Sequence, residues 1–457
     1  MGTAPGRWVL LATVLASGLA MLDGTVVNVA LARIGTDLGA GFTALQWVVN
    51  AYTLTLASLI LLGGALGDRF GRRRVFVVGV VWFAVASALC GLAPSAGALI
   101  AGRALQGVGG ALLMPGSLAI ISASFTATDR SAAVGAWSGL GGIAGALGPF
   151  LGGWLVEWTW RAVFWLNLPL AVVVAVVASR HVPESRDDAA TGAPDVAGSL
   201  AAVAGLGALT YALTEAGRSG PSPPVLLSGT VGVLALAAFV AVQRRAANPL
   251  VPPGLVRVPQ FLAANTVTLL VYASLGALFV LLVLQLQTVS GFAPLPAGLA
   301  LLPVTVVMLL FSARAGALAR RIGPRLPMAV GPLVAAGGVL LMLRIGPHAG
   351  FAADVLPAVL AFAAGLALTV APLTATVLDA AGSRHAGAGS AVNNAVARVG
   401  GLLAVALVPA VSGISRAAGP AQFDAAFHRA VLIEAALLAA GGALAWLTIR
   451  GSPGPAG

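Results

Sequence analysis

The sequence predicts an all-α, polytopic membrane protein with fourteen membrane-spanning helices. Three observations lead to this fold class: 59% of the 457 residues are hydrophobic, only 9% are charged, and apolar stretches recur along the whole chain. A soluble protein of this size could not cover so much apolar surface. Most stretches have about 18 to 25 residues, the length that a helix rising about 1.5 Å per residue needs to cross a hydrocarbon core of about 30 Å.

The predicted spans follow one another with short polar gaps. They cover residues 8 to 31, 45 to 66, 74 to 93, 98 to 123, 131 to 156, 161 to 179, 196 to 216, 224 to 243, 260 to 287, 295 to 318, 326 to 346, 353 to 378, 386 to 412 and 425 to 449. The first run carries Asp23 and lacks a clear cleavage site. We therefore expect it to be the first helix rather than a signal peptide.

The arginines predict the orientation. All 25 basic residues are arginines; with a cytoplasmic N-terminus, sixteen fall on the cytoplasmic side and six outside. The positive-inside rule then places both termini in the cytoplasm. It also accounts for the net charge of +11 without a nucleic-acid partner. Arginine in place of lysine, with abundant Ala, Gly and Pro, is typical of GC-rich codon usage, so we expect the plasma membrane of an actinobacterium.

A charged loop occurs twice. Residues 65 to 75, ALGDRFGRRRV, lie between predicted helices 2 and 3. A shift of 252 residues aligns residues 64 to 73 with residues 316 to 325, and six of these ten positions are identical. The chain therefore divides into a six-helix bundle over 1 to 183, a linker with two extra helices over 184 to 254, and a second six-helix bundle over 255 to 457. Parallel repeats are typical of transporters, whose substrate site lies between the repeats near the midplane.

Two pairs of charges are predicted inside the membrane, where charges are costly and commonly functional. Asp23 and Arg103 lie at similar depths, about 12 and 9 Å below the outer surface, so they could interact. A pair of this kind could keep the acid ionised until the helices part and it takes a proton. Alternatively, Arg103 extends to the interface and Asp23 caps a kink at Gly24.

The second pair lies in the second bundle. Arg398 sits near the middle of helix 13 and Glu434 in the outer third of helix 14, so they too could meet at one depth. A proton-coupling role and a purely structural ion pair or interfacial acid are both open for them.

Predicted helix 5 contains GGIAGALGPFLGG, residues 141 to 153. Gly141, Gly145, Gly148 and Gly152 fall within an arc of about 60°, which lets a neighbouring backbone approach closely. Pro149 interrupts the hydrogen-bond ladder and should bend the helix. Simple helix packing is the alternative explanation.

Catalytic and metal-binding motifs are missing from the sequence. The single Cys90 falls inside a span, the four histidines stand in loops or at helix ends, and no HExxH, GxSxG or nucleotide-binding loop occurs. We expect neither an enzyme nor a metal site nor a cofactor.

Several motifs resemble the major facilitator superfamily, specifically its fourteen-helix drug:proton antiporters, over essentially the whole chain. They are GALGDRFGRRR at 64 to 74, LDGTVVNVAL at 22 to 31, QWVVNAYTL at 46 to 54, RALQGVGGALLMP at 103 to 115, GALGPFLGG at 145 to 153 and WRAVFWLNLP at 160 to 169. Two departures are Ala32 in place of the usual Pro, and Arg320 in the second loop copy at the place of Asp68.

The resemblance implies roles for individual residues. It gives Arg103 a part in proton coupling, and the 145 to 153 motif, with Gly153, implies export rather than uptake. The first loop is implied to be a conformational latch, through Gly64, Asp68, Arg69, Gly71, Arg72 and Arg73.

We therefore expect a proton-coupled multidrug or natural-product efflux antiporter that works by alternating access, is driven by the proton gradient and is monomeric. Its cargo would be small and amphipathic or cationic. Packing or helix–helix hydrogen bonding is the alternative role for each side chain that is a candidate to line the cavity. These candidates are Asn28, Trp47, Tyr52, Gln106, Trp137, Gln285, Asn393 and Asn394. The alternatives are an exporter of a lipid or a specific metabolite in the same fold, and a membrane sensor.

Overall fold

The computed structural model describes residues 4–187, 195–246 and 249–450, and these are helical with no strand among them. The side-chain surroundings at 127, 128, 130–132, 138, 139, 141–143, 146 and 383–386 are also outside the described part. Within it, thirteen helical stretches are long and apolar enough to cross a membrane. The predicted fold class, an all-α polytopic membrane protein, is confirmed.

The helices follow the predicted spans in order. They are α1 Ala4–Leu38, α2 Phe42–Phe70, α3 Arg72–Gly91, α4 Ala96–Ser124, α5 Ala127–Trp158, α6 Ala162–Trp165, α7 Asn167–His181, α8 Val196–Ser219, α9 Pro223–Arg245, α10 Pro259–Thr288, α11 Pro294–Leu299, α12 Leu302–Ile322, α13 Arg325–Leu341, α14 Leu356–Ser412 and α15 Pro420–Thr448. The predicted span over 131 to 156 lies within α5, which is not among the thirteen stretches. The total of fourteen spans stays a prediction.

Two predicted spans have a different local structure. The span at 161 to 179 consists of the short α6 followed directly by α7. The spans at 353 to 378 and 386 to 412 are joined in α14, which kinks at Gly382, where φ is +70°. Glycine populates positive φ without a Cβ clash, so the chain can turn there without an intervening loop.

Two compact units make up the chain. The first comprises residues 1–209 and 227–250, and the second comprises residues 210–226 and 251–457. In the first unit α1 packs on α5 and α7, while α4 packs on α2 and α3. In the second unit α14 packs on α10, α12 and α13, and α15 packs on α10 and α13. The boundaries at 183 and 254 and the cytoplasmic termini stay predictions.

The two extra helices are α8 and α9. On α9, Leu226, Leu227 and Leu234 are each more than 60% exposed. In a membrane, such apolar surface faces lipid at no cost.

Glycines let α4 pack closely against α2, and this packing positions Arg103 of α4. A Cβ on Gly107 would lie 2.3 Å from the carbonyl oxygen of Tyr52, and one on Gly63 would lie 2.0 Å from that of Ala111. Only glycine allows backbones to approach this closely. The close contact sets Arg103, one turn before Gly107, against α2.

Candidate functional site

A buried ion pair lies at the centre of the first unit. Arg103 Nη1 on α4 is 2.6 Å from Asp23 Oδ2 on α1, and the two side chains are 2% and 0% exposed. α1 is helical throughout Ala4–Leu38. The structure therefore brings Asp23 and Arg103 together, as predicted. Arg103 is buried in this pair rather than extended to the interface, and the hydrogen bonds of Asp23 go to side chains of other helices rather than to a cap at Gly24.

Amide side chains complete the surroundings of the carboxylate. Gln106 Nε2 and Asn167 Nδ2 each donate to Asp23 Oδ1 at 2.8 Å. Both amides also donate to Ser87 Oγ, at 3.2 and 2.9 Å, and Ser87 in turn donates to the carbonyl of Phe164 at 2.8 Å. All four polar residues are buried. With Arg103, three side chains thus donate to one carboxylate.

Arg103 is held from several sides. Its Nη1 also donates to Gln106 Oε1 at 2.6 Å, and its Nε donates to the carbonyl of Val48 at 3.2 Å. Its guanidinium lies 4.3 Å from the centroid of the Tyr52 ring. Planar, multidirectional donation and stacking suit an arginine and not a lysine. We call Asp23, Ser87, Arg103, Gln106 and Asn167 the buried cluster.

The opposite face of α1 packs against the glycine stripe of α5. A Cβ on Gly148 would lie 1.9 Å from Thr25 Oγ1, one on Gly152 would lie 3.0 Å from the carbonyl of Val26, and Thr25 Oγ1 donates to the carbonyl of Gly145 at 3.0 Å. The stripe thus permits close approach, as predicted. Pro149 and Gly153 are buried in α5, whereas Gly141 lies outside the residues whose surroundings are described.

The charged loop forms an ordered turn between α2 and α3. Gly71 has φ +108°, and Arg72 Nε donates to Asp68 Oδ1 at 2.8 Å. Gly64 lies near Pro115 on α4. The guanidinium of Arg69 lies over the Phe70 ring at 5.4 Å. Their role as a latch stays a prediction.

Glu184, just after α7, holds the start of α3. Its carboxylate accepts the backbone N–H groups of Arg73 and Arg74 at 3.0 and 3.2 Å, and both guanidinium groups lie within 4.0 Å of it. A carboxylate at a helix N-terminus satisfies free N–H groups and complements the helix dipole. A Cβ on Gly71 would lie 2.9 Å from this carboxylate.

In the second unit the predicted pair does not form. Arg398 Nε donates to Asn394 Oδ1 at 3.1 Å, one turn back on its own helix. Neither carboxyl oxygen of Glu434 has a hydrogen-bond partner among the described residues, although Glu434 is only 1% exposed. The expectation that Arg398 meets Glu434 is therefore wrong, because the guanidinium folds back along α14.

The residues predicted to line a cavity are divided between the two units. In the first unit, Tyr52 and Gln106 belong to or border the buried cluster, Trp137 Nε1 donates to Ser17 Oγ at 2.9 Å, Trp47 is half-buried, and Asn28 Oδ1 is buried. In the second unit, Gln285 Nε2 donates to Asp424 Oδ1, and Asn393 Nδ2 donates to Thr268 Oγ1 at 2.8 Å. Their contact with a cargo stays a prediction.

Sequence reasoning did not assign Ser87, Asn167 or Glu184. Asn167 had a usable signal, because it is a polar residue inside a predicted span and within the quoted motif at 160 to 169. Ser87 and Glu184 had none, since serine is common in spans and Glu184 stands in a polar segment.

Comparison with known proteins identifies the family. A model of the Major Facilitator Superfamily matches residues 13–405. The chain belongs to this superfamily. This superfamily member is 38% identical over 421 residues to a puromycin resistance protein of Streptomyces alboniger, covering 90% of this chain and 83% of that protein. It is 34% identical over 463 residues to a methylenomycin A resistance protein of Bacillus subtilis, covering 99% and 97%.

A solved structure shows the same superfamily fold. The bacterial homologue of the human lysosomal transporter Spinster, crystallised in an inward-facing and occupied conformation, has a TM-score of 0.70 at 18% identity, covering 99% of this chain and 98% of that one. Family membership and transporter neighbours make this Major Facilitator Superfamily chain a transporter rather than an enzyme.

Proposed function

We propose that the protein is a proton-driven antiporter that exports an antibiotic or another drug-like molecule across the plasma membrane of an actinobacterium by alternating access. The observation that carries the proposal is the ion pair of Asp23 and Arg103. The pair is buried within a predicted span, and two amide side chains donate hydrogen bonds to its carboxylate. The relatives, named as resistance proteins for puromycin and methylenomycin A, support export of such a cargo.

Asp23 is the residue that takes the proton. While Arg103 Nη1 contacts Oδ2, the carboxylate is ionised and α1 is tied to α4. A proton on Oδ2 removes the charge that holds Arg103 and so competes directly with the ion pair. Protonation therefore loosens α1 from α4, whereas the return of the ion pair releases the proton.

α1 passes this change on to α5. Its Thr25 and Val26 lie directly against the backbone of α5 at Gly145, Gly148 and Gly152. Closely packed elements shift together rather than deform independently. A displacement of α1 on protonation would thus move α5, the helix whose motif implies export.

The proton gradient supplies enough free energy for export. One charge moving through 100 mV gives about 2.3 kcal/mol, which corresponds to about a fifty-fold gradient of a neutral cargo. A monovalent cationic cargo exchanged for a single proton would gain nothing from the voltage and would depend on the pH gradient alone.

The test uses cells that express the wild type, Asp23→Asn or Asp37→Asn. Asp37 is the matched control, because it is on the same helix but pairs with Arg33 at the surface. Puromycin resistance and ethidium efflux are measured with and without a protonophore. We expect protonophore-sensitive efflux in the wild type and in Asp37→Asn, and none in Asp23→Asn. If the wild type exports neither compound, the result would favour an exporter of a lipid or of a specific metabolite.

A further inference from the structure

Glu434 is a buried acid that the proposed mechanism does not use. It lies midway along α15, is 1% exposed, and has no hydrogen-bond partner for either carboxyl oxygen among the described residues. An ionised carboxylate without a partner is strongly disfavoured in such a place. The neutral, protonated carboxyl is therefore the stable form in this structure.

No described cation contacts the Glu434 carboxyl from the elements packed against α15. α10 contributes only Tyr272 as a titratable group, and Arg325 at the start of α13 donates to the carbonyl of Trp446 at 2.7 Å. The other described titratable or charged groups near α15 are Asp379 and Arg398 on α14, Arg344 after α13, Arg416 after α14, and Asp424, His428 and Arg429 on α15 itself. The side chains of residues 384 and 385 lie outside the described part.

A second polar group without a partner lies at the same level. Gln285 on α10 donates a hydrogen bond to Asp424 on α15, and a Cβ on Gly441 of α15 would lie 3.5 Å from Val271 of α10. The two helices are therefore antiparallel, and positions 275 to 278 of α10 lie at the level of Glu434. Ser274, within about one turn of that level, is 0% exposed, and its Oγ has no hydrogen-bond partner among the described residues. The register thus brings an unpartnered hydroxyl to the level of the unpartnered acid.

We propose that Glu434 is a second proton-binding site, which still holds its proton in the state in which Asp23 is paired with Arg103. The two acids have opposite surroundings: Asp23 has a cation and two amide donors, whereas Glu434 has none of these. Two carboxyl groups in such different surroundings can release their protons at different stages of one cycle. Both protons come from water outside the cell, bond to a carboxyl oxygen, and leave to water in the cytoplasm, the proton of Asp23 first and that of Glu434 later.

This inference rests on the proposed antiport and sets its stoichiometry at two protons for each cargo molecule. For a monovalent cation such as ethidium, exchange for two protons moves one net charge, whereas exchange for one proton moves none. At 100 mV and equal pH on both sides, two protons predict about a fifty-fold ethidium gradient and one proton predicts no gradient.

The first arm of the test does not depend on transport. Infrared difference spectra of purified wild type, Glu434→Gln, Glu434→Asp and Asp424→Asn are recorded during a pH titration. We expect a band of a protonated, weakly hydrogen-bonded carboxyl at neutral pH that is lost in Glu434→Gln and kept in Glu434→Asp. Asp424 is the control on the same helix, and its substitution should leave the band unchanged. A wild type without this band, or a band that survives in Glu434→Gln, overturns the inference.

The second arm measures the ethidium gradient in proteoliposomes at an imposed 100 mV and equal pH. We expect about a fifty-fold gradient in the wild type and Asp424→Asn, and none in Glu434→Gln, even though that variant still exchanges ethidium under a pH gradient. A voltage-driven gradient in Glu434→Gln contradicts the two-proton stoichiometry. If ethidium is not carried at all, the proposed function fails for this probe, and the infrared arm alone decides the inference.

Discussion

Single residues set the surroundings of the two buried acids. The Asp23 carboxylate is surrounded by Arg103, Gln106 and Asn167, so both of its oxygens accept a hydrogen bond. Removing one member of a buried ion pair leaves the other as an uncompensated charge, which costs more than the pair itself contributes.

A double-mutant cycle tests this coupling. Asp23→Asn and Arg103→Gln should each lower the free energy of unfolding by about 3–5 kcal/mol, since each leaves a buried group without its partner. The double variant should lose less than the sum by about 1–3 kcal/mol. Unfolding in detergent, followed by circular dichroism, measures the four proteins, and additive losses would contradict direct coupling.

Asn167 offers a test of the carboxylate's surroundings. Asn167→Ala removes one N–H donor from the ionised Asp23 and one from Ser87, a loss of about 1.5–3 kcal/mol for a bond to a charged group. The free energy of unfolding should fall by that amount, as measured by circular dichroism in detergent. Asn393→Ala, in the second unit, is the control, because it breaks only neutral hydrogen bonds and should lose about 0.5–1.5 kcal/mol. An equal loss in the two variants would show that the charge of Asp23 does not strengthen its bond to Asn167.

The sequence alone could predict the Asp23–Arg103 contact, but not that Ser87 and Asn167 complete the buried cluster around it. Equal depth in two adjacent helices is readable from span lengths, because helical rise is constant. Ser87 and Asn167 depend on which faces of α3 and α7 turn toward α1, which hydropathy does not specify. The same reason explains Arg398: its depth was readable, but its hydrogen bond to Asn394 on its own helix was not.

At the scale of helices, α1 lies directly against the backbone of α5 at three glycines. The glycines at 145, 148 and 152 present no side chain of their own to Thr25 and Val26. This makes the seam of α1 and α5 sensitive to a single methyl group.

Gly148→Ala should therefore impair the transporter. Its Cβ would lie 1.9 Å from Thr25 Oγ1, and overpacking of this kind costs about 1–3 kcal/mol. Gly135→Ala, on the same helix with nothing within 4 Å of the added Cβ, is the matched control and should keep wild-type stability and efflux. Equal behaviour of the two variants would show that close approach at the seam is not required.

Glu184 should stabilise the first unit through α3. Glu184→Ala removes a cap from Arg73 and Arg74 N–H, and we expect a loss of about 0.5–2 kcal/mol in the free energy of unfolding. Asp37→Ala, which breaks only an exposed ion pair, should change it by less than about 1 kcal/mol. Thermal unfolding compares the two, and an equal, small loss would mean that Glu184 acts only as a surface charge.

Span order was readable from the sequence because each crossing needs a fixed apolar length. The joining of residues 353 to 412 into α14 was not, since it depends on the backbone angle at Gly382. The contact of Glu184 with α3 was also hidden, because it joins residues 111 positions apart in two polar segments.

At the scale of the whole molecule, the central claim is that proton binding at Asp23 drives export. The family and the resistance proteins among its relatives support an exporter. A pH gradient alone must then be sufficient to drive uphill transport of a monovalent cation.

The most direct measurement is ethidium accumulation in proteoliposomes under an imposed pH gradient. The account predicts accumulation against the ethidium gradient by the wild type and Asp37→Asn, its collapse on addition of a protonophore, and none by Asp23→Asn. Accumulation by Asp23→Asn at the wild-type level, or a wild-type gradient that survives the protonophore, would contradict it.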